Sequence, residues 1–235
     1  MSQTYKLHYA PDNASLVVRL ALEELNVPYE TVLVNRATKA HKAPQYLKLN
    51  PMGLIPVLET PNGPMSETAA ILLWLADTHG VLAPKHDAQE RAHFLKWLFF
   101  VSNTLHTALR TSFYPYCYVG IDRSAQAALQ AQSWQEIPRF LDMLEADANS
   151  GKSVIGMSDP NCVDLYVAAC LRWVVLYPMN ADKSWFKSER FPNLIDMARR
   201  LEGRPSVEAL CSAEGMTPHP FTEPDYPSPP EGSAT

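Results

Sequence analysis

The chain has 235 residues, 46% of them hydrophobic and 19% charged, with a formal charge of -5; that length accommodates two modest cores, and with no strong Lys/Arg clustering read in it a nucleic-acid partner is not expected. No apolar run reaches about 18 residues and no basic stretch followed by an apolar core opens the chain, so neither a membrane span nor a secretory signal is expected and the expected location is cytoplasmic. The four cysteines, Cys117, Cys162, Cys170 and Cys211, show neither C-x-x-C nor metal-ligand spacing; they read as buried free thiols, and no metal is expected.

In chain order, "YKLHYA" (5–10) alternates as a strand, "PDNAS" punctuates it, and "LVVRLALEELNV" carries apolar residues at helical spacing. "YETVLVN" is β-rich, "APQYLKLNP" is a short helix stopped by Pro51, and "IPVLETPNGPM" is a hairpin whose turn residues are Asn62 and Gly63. The apolar helix in "SETAAILLWLAD" completes a β-α-β-α-β-β-α order over residues 1–80. After a linker at 81–88 the pattern becomes wholly helical over 89–216. "AQERAHFLKWLFFVSNTLHTALR" is one long amphipathic helix, "SAQAALQAQSWQEIPRFLDMLEADA" a second with Pro138 as a point of interruption, and three shorter helices follow. "AAILLWLA" and "VDLYVAACLRWVVL" are apolar on nearly all sides, which places each at the centre of its domain. The tail, 217–235, is proline-rich and expected to lack regular structure, with Phe221 and Tyr226 available to dock.

Three local features need a chemical explanation. Pro56 opens a strand although it has no N–H for a ladder, which suggests an edge whose hydrogen bonds serve something else. A helix starting in "SETAA" places unpaired N–H groups and positive dipole near Glu67 and Thr68, suited to a carboxylate; on its own the stretch also reads as an N-cap, Ser66, followed by a dipole-compensating acid. Asn103, His106 and Arg110, at i, i+3 and i+7, form a polar stripe on an otherwise apolar helix. Asn161 and Asp164 have capping-box spacing and a structural role.

"NPMGLIPVLE", "SETAAILLWLAD" and "NCVDLYVAACLRW" resemble three segments of the cytosolic glutathione transferase family, and "KLHYAPDNASL", "LHTALR" and "LCSAEGM" are similar to its bacterial beta-type members. The resemblance spans about Tyr5 to Met216. It implies an N-terminal thioredoxin-like domain followed by an all-helical domain, and a two-fold homodimer, for which the face with Phe94, Trp97, Leu98 and Val101 is a candidate surface. It also implies that the Ile55-Pro56 bond is cis, that Ile55 pairs through its backbone with the cysteinyl unit of glutathione, and that Thr68 binds the γ-glutamyl carboxylate while Glu67 accepts from the ligand's amino group. The beta-type pattern has a cysteine followed by serine at the first strand–helix junction; here the matching pair is Ala14-Ser15, so a route through a protein–glutathione mixed disulfide lacks its thiol.

The remaining candidates for activating the glutathione sulfur are Ser15, Asn13, Tyr9 and His106. Ser15 matches the beta-type serine, Asn13 lies about where other classes carry a catalytic serine, and His106 matches the beta-type histidine; local capping is the bland role of Asn13 and Ser15. Asn103, Arg110 and Tyr114, with Phe113, Tyr116 and Tyr118 nearby, are candidates to line a pocket for an apolar electrophile. The implied activity is conjugation of the glutathione thiolate to small hydrophobic electrophiles, with glutathione as cosubstrate and no cofactor. Two other activities are compatible with the residues: glutathione-dependent disulfide reduction without a protein cysteine, and non-catalytic binding of glutathione or a partner protein.

Overall fold

The computed structural model describes residues 4–234. The chain forms two compact units, one of residues up to Lys85, Glu202–Pro220 and from Asp225 on, the other of His86–Leu201 and Phe221–Pro224.

In the first unit, β1 (Tyr5–Tyr9), α1 (Ser15–Glu24), β2 (Tyr29–Leu33), α2 (Pro44–Leu47), β3 (Val57–Thr60), β4 (Gly63–Ser66) and α3 (Thr68–His79) follow in the expected order. The strands form one sheet in the order β2-β1-β3-β4. β1 and β2 are parallel, as a helical crossover requires, and the other pairs are antiparallel. Register places His8 opposite Val57 and Val57 opposite Ser66. The C-terminal end of β1, the start of β3 and the end of β4 therefore lie side by side. The hairpin pairs Thr60 with Gly63, so its loop residues are Pro61 and Asn62; only Gly63 takes positive φ, at 113°.

The most enclosed helix of this unit is α1, buried continuously from Ser15 to Leu22. By contrast α3 leaves Ala70, Leu73 and Trp74 partly exposed, so its near-uniform apolarity does not put it at the centre. The charged Arg19 on α1 is buried because its Nε donates to Glu214 at 3.0 Å. Glu214 closes α10 (Pro205–Glu214), and Glu24 accepts from Arg204 at 2.7 and 2.8 Å. These pairs attach α10 to α1, so the helical domain drawn at 89–216 loses its last helix to the sheet-bearing unit.

Among the described residues the tail contains neither helix nor strand, as expected, yet it is held. Gly215 adopts the left-handed conformation, and Ser228 donates its N–H to the Gly215 carbonyl at 2.8 Å. Phe221 is buried, whereas Tyr226 is exposed.

The second unit contains α4 (Arg91–Phe100), a π-helical turn at Val101–Leu105, α5 (His106–Phe113), α6 (Tyr116–Val119), α7 (Arg123–Ala148), α8 (Cys162–Leu176) and α9 (Pro192–Glu202). The single long helix expected over 88–110 runs without a break from Arg91 to Phe113, but one turn of it, Val101–Leu105, is wound as a π-helix, a feature that residue periodicity does not report. Pro138 does not interrupt α7, which is continuous around it. At the core, α8 is buried throughout its first thirteen residues, and Asn161 and Asp164 form the expected capping box. Phe94, Trp97, Leu98 and Val101 are all buried within one chain, which removes them as a candidate dimer face. Cys117 is exposed on α6, while the other three thiols are buried. Among the described residues no helix is long and apolar enough to cross a membrane.

Candidate functional site

The loop from Asn50 to Pro56 holds a peptide edge outside the sheet. Gly53 sits at φ 60°, and a Cβ there would lie 2.7 Å from the His41 carbonyl oxygen and 2.9 Å from Lys42 Nζ, so the close approach of the two loops requires glycine. Asn50 organises the turn: its carbonyl accepts from Gly53 N–H at 2.8 Å and its Oδ1 from Met52 N–H at 3.1 Å. The Ile55-Pro56 bond is cis, as the resemblance implies. The Ile55 side chain packs against Val34, Tyr46 and Val57. Among the described residues neither its N–H nor its C=O takes a hydrogen bond. Such groups rarely stay unpaired unless something else meets them.

Beside this edge stands the start of α3. Ser66 ends β4 and is not the N-cap; that position belongs to Glu67, whose backbone lies at φ 71°, ψ 107° and whose side chain makes no capping bond. The first helical bond runs from Ile71 N–H to the Glu67 carbonyl at 2.9 Å. The N–H groups of Thr68, Ala69 and Ala70 have no partner among the described residues. Three donors free among the described residues and the positive dipole end of a 12-residue helix are the chemistry that suits an anion. Thr68 is largely buried there, and the Glu67 side chain is exposed.

The loop from Ala10 to Ala14 leads out of β1 on the other side of Pro56, and here the structure redistributes the sequence candidates. Ser15 is 0% exposed; its hydroxyl donates to the Ala10 carbonyl at 3.1 Å and accepts from Ala10 N–H at 3.3 Å. It closes the loop internally and is not available to a ligand sulfur, which corrects its assignment as a catalytic hydroxyl. Tyr9 is also buried, with its hydroxyl donating to Glu231 of the tail and the Arg19 guanidinium 4.5 Å from its ring centroid. Burial, then the hydrogen bond and charge of Glu231, raise its pKa well above the usual tyrosine range. Its proton is therefore already committed. Asn13 is partly exposed: Nδ2 donates to the Pro11 carbonyl at 3.2 Å, and Oδ1 lies 3.5 Å from Arg36 Nη1. It is not the N-cap of α1, a position held by Ala14. An amide nitrogen carries two hydrogens, so Asn13 retains a donor.

Two contributors escaped the sequence reading. The run Arg36, Lys39, His41 and Lys42 is a local basic cluster, visible in "RATKAHK" but diluted in the whole-chain charge. Burial and then the neighbouring Lys42, Arg36 and Lys39 charges lower the His41 pKa, and its buried Nδ1 has no hydrogen-bond partner among the described residues. Lys42 Nζ donates to the carbonyls of Met52 and Gly53 at 3.3 and 3.4 Å, which ties this cluster to the loop ahead of Ile55. The second contributor is Glu231, which nothing in the proline-rich tail marks as a partner of β1.

The other predicted residues belong to the helical unit. His106 Nδ1 and the Tyr166 hydroxyl are 2.7 Å apart, and the imidazole lies 5.0 Å from the Trp173 ring centroid. Burial, helped by the Arg110 charge, lowers the His106 pKa to about 4, so the ring is neutral near pH 7. The wide π turn rotates Asn103 out of line with His106: Asn103 is exposed, whereas His106 and Arg110 are partly buried. Arg110 Nη1 donates to the Tyr118 hydroxyl at 3.1 Å, and Tyr114 ends α5 with its ring edge-on to Phe113 and Tyr116.

The glutathione S-transferase N-terminal domain family matches residues 14–78. Glutathione S-transferase GstB of Escherichia coli K12 is 31% identical over 196 residues, 82% of this chain and 90% of that protein. A bacterial beta class glutathione S-transferase of Sphingomonas chungbukensis shares the fold with a TM-score of 0.68 at 27% identity, covering 89% of this chain and 98% of its own. A sphingomonad glutathione S-transferase solved in complex with glutathione superposes with a TM-score of 0.70 at 26% identity, covering 90% and 100%.

Proposed function

The chain belongs to the glutathione S-transferase family, and on that premise we propose that it adds the glutathione thiolate to small hydrophobic electrophiles. The observation that carries the reading is the unpaired Ile55 backbone standing next to an uncapped helix start. An extended peptide pairs with a free strand edge as an added strand does. Glutathione laid along Ile55 has its γ-glutamyl carboxylate on the free N–H groups and hydroxyl of Thr68, its amino group on Glu67, and its glycyl carboxylate toward His41 and Lys42. Each end of the ligand then meets opposite charge.

The sulfur falls to the Ala10–Ala14 loop. With Ser15 closed on Ala10 and Tyr9 on Glu231, Asn13 Nδ2 is the side-chain donor we assign to the thiolate. Lowering a thiol pKa by about two units takes about 2.7 kcal/mol. One hydrogen bond to the charged sulfur supplies about 1.5–3 kcal/mol, so a single amide with help from helix-end polarity suffices. Asn103, Arg110 and Tyr114 remain our candidates for the electrophile side, and neutral His106 acts there as a packing and hydrogen-bonding group rather than a cation.

We further place the protein in the cytoplasm, where glutathione is reduced and free thiols persist, and read it as a homodimer on the family resemblance; light scattering at micromolar concentration that gave a monomer would remove the latter. The test of function is calorimetry with glutathione together with turnover of a chloronitrobenzene. Micromolar to millimolar binding with conjugate formation is expected, and absence of glutathione binding to folded protein refutes the reading.

A further inference from the structure

We propose that Tyr46 and Asn50 are positioning residues that aim the Ile55 N–H at the bound peptide and strengthen it as a donor. This rests on the reading in which Ile55 pairs with glutathione. Leu54 C=O and Ile55 N–H are the two ends of one peptide unit, planar and trans, so the oxygen and the hydrogen point in opposite directions. Whatever holds the oxygen sets the direction of the hydrogen.

The Leu54 oxygen is held twice, by the Tyr46 hydroxyl and by Asn50 Nδ2, each at 2.8 Å. Both side chains are buried, Tyr46 at 6% exposure and Asn50 at 4%. Their donor roles are unambiguous. Burial raises the Tyr46 pKa, so the hydroxyl keeps its proton. Asn50 Oδ1 accepts from Met52 N–H, which leaves Nδ2 to face Leu54. Two donors on one carbonyl fill both of its lone pairs and draw electron density from the amide nitrogen. The N–H at the far end of the same unit becomes more polar, the cooperative strengthening expected of linked hydrogen bonds in a low-dielectric setting. That N–H is free among the described residues, so the gain is delivered to a ligand rather than to the sheet.

The experiment is amide NMR of Ile55 with calorimetry, on the parent protein, Tyr46→Phe and Asn50→Asp, the second substitution keeping the acceptor for Met52 while losing the donor to Leu54. Each substitution is expected to move the Ile55 amide proton upfield in the free protein and to raise the Kd for glutathione about three- to tenfold, the effect of one neutral hydrogen bond acting at a distance. A glutathione analogue with the cysteinyl carbonyl replaced by methylene cannot accept from Ile55. Its Kd is expected to be the same for the parent and for Tyr46→Phe, which a merely structural loss would not produce. Equal weakening of both ligands, or an unmoved amide proton with unchanged glutathione affinity, overturns the inference while leaving the glutathione reading in place. If the parent binds glutathione with no change at the Ile55 amide, the pairing of Ile55 with the ligand falls and takes the inference with it.

Discussion

Replacing Glu67 by glycine separates what this residue does for the fold from what it does for the ligand. At φ 71°, ψ 107° it lies outside the backbone regions open to a residue with a Cβ. Such a conformation costs about 1–3 kcal/mol, against about 0.5–1 kcal/mol for the additional freedom of glycine in the unfolded chain. Glu67→Gly is therefore expected to stabilise the protein by about 0.5–2 kcal/mol, a rise in Tm of roughly 1–8 °C for a chain of this size. Loss of the carboxylate removes a charge-assisted bond to the ligand amino group, and the Kd for glutathione should rise about tenfold to a hundredfold. Glu67→Ala keeps the Cβ at positive φ, so it should lose the same affinity without the gain in Tm. Differential scanning calorimetry and titration calorimetry on the three proteins decide the matter. If the glycine and alanine variants melt together, the backbone at residue 67 is not strained; if neither loses affinity, the carboxylate does not meet the ligand.

Ser15→Ala should lower stability by about 1–3 kcal/mol by leaving the buried Ala10 N–H without its acceptor, whereas Asn13→Ala should reduce conjugation at least tenfold with glutathione affinity nearly constant; steady-state kinetics and melting curves showing the reverse would return the hydroxyl to the sulfur. Because burial holds the folded-state pKa of His106 near 4, below its usual 6.5, the unfolded chain binds the additional proton between these values. Stability from this group is complete above about pH 6.5 and is lost as pH falls toward 4, by about 1–3 kcal/mol. Urea titrations of the parent and His106→Gln across that window should show the steeper acid slope only in the parent. A Cβ at Gly215 would lie 2.0 Å from the Ser228 carbonyl oxygen at φ 64°, so Gly215→Ala should detach the tail and speed its proteolytic trimming, and an unchanged trimming rate would show that the tail is held elsewhere.

The features written locally in the chain were legible from it. Helical and strand periods, the asparagine and aspartate three residues apart at the start of α8, and the segment around Ile55-Pro56 each act within a few residues, so their outcome depends little on what packs around them. The chemistry of the β1–α1 junction was decided by tertiary structure. Ser15 looks like an exposed first-turn hydroxyl until α1 is buried from Ser15 to Leu22 and the hydroxyl's partners among the described residues are the backbone atoms of Ala10. Tyr9 meets Glu231 across 222 residues of chain, and Arg19 meets Glu214 across 195, pairings that no local pattern encodes. The same holds for α10: an amphipathic helix specifies that one face is buried, but the buried charges on α1 select which unit it joins. Sequence sets which groups seek a partner; burial, by making an unpaired charge or hydroxyl costly, selects the partner from wherever in the chain it is within reach.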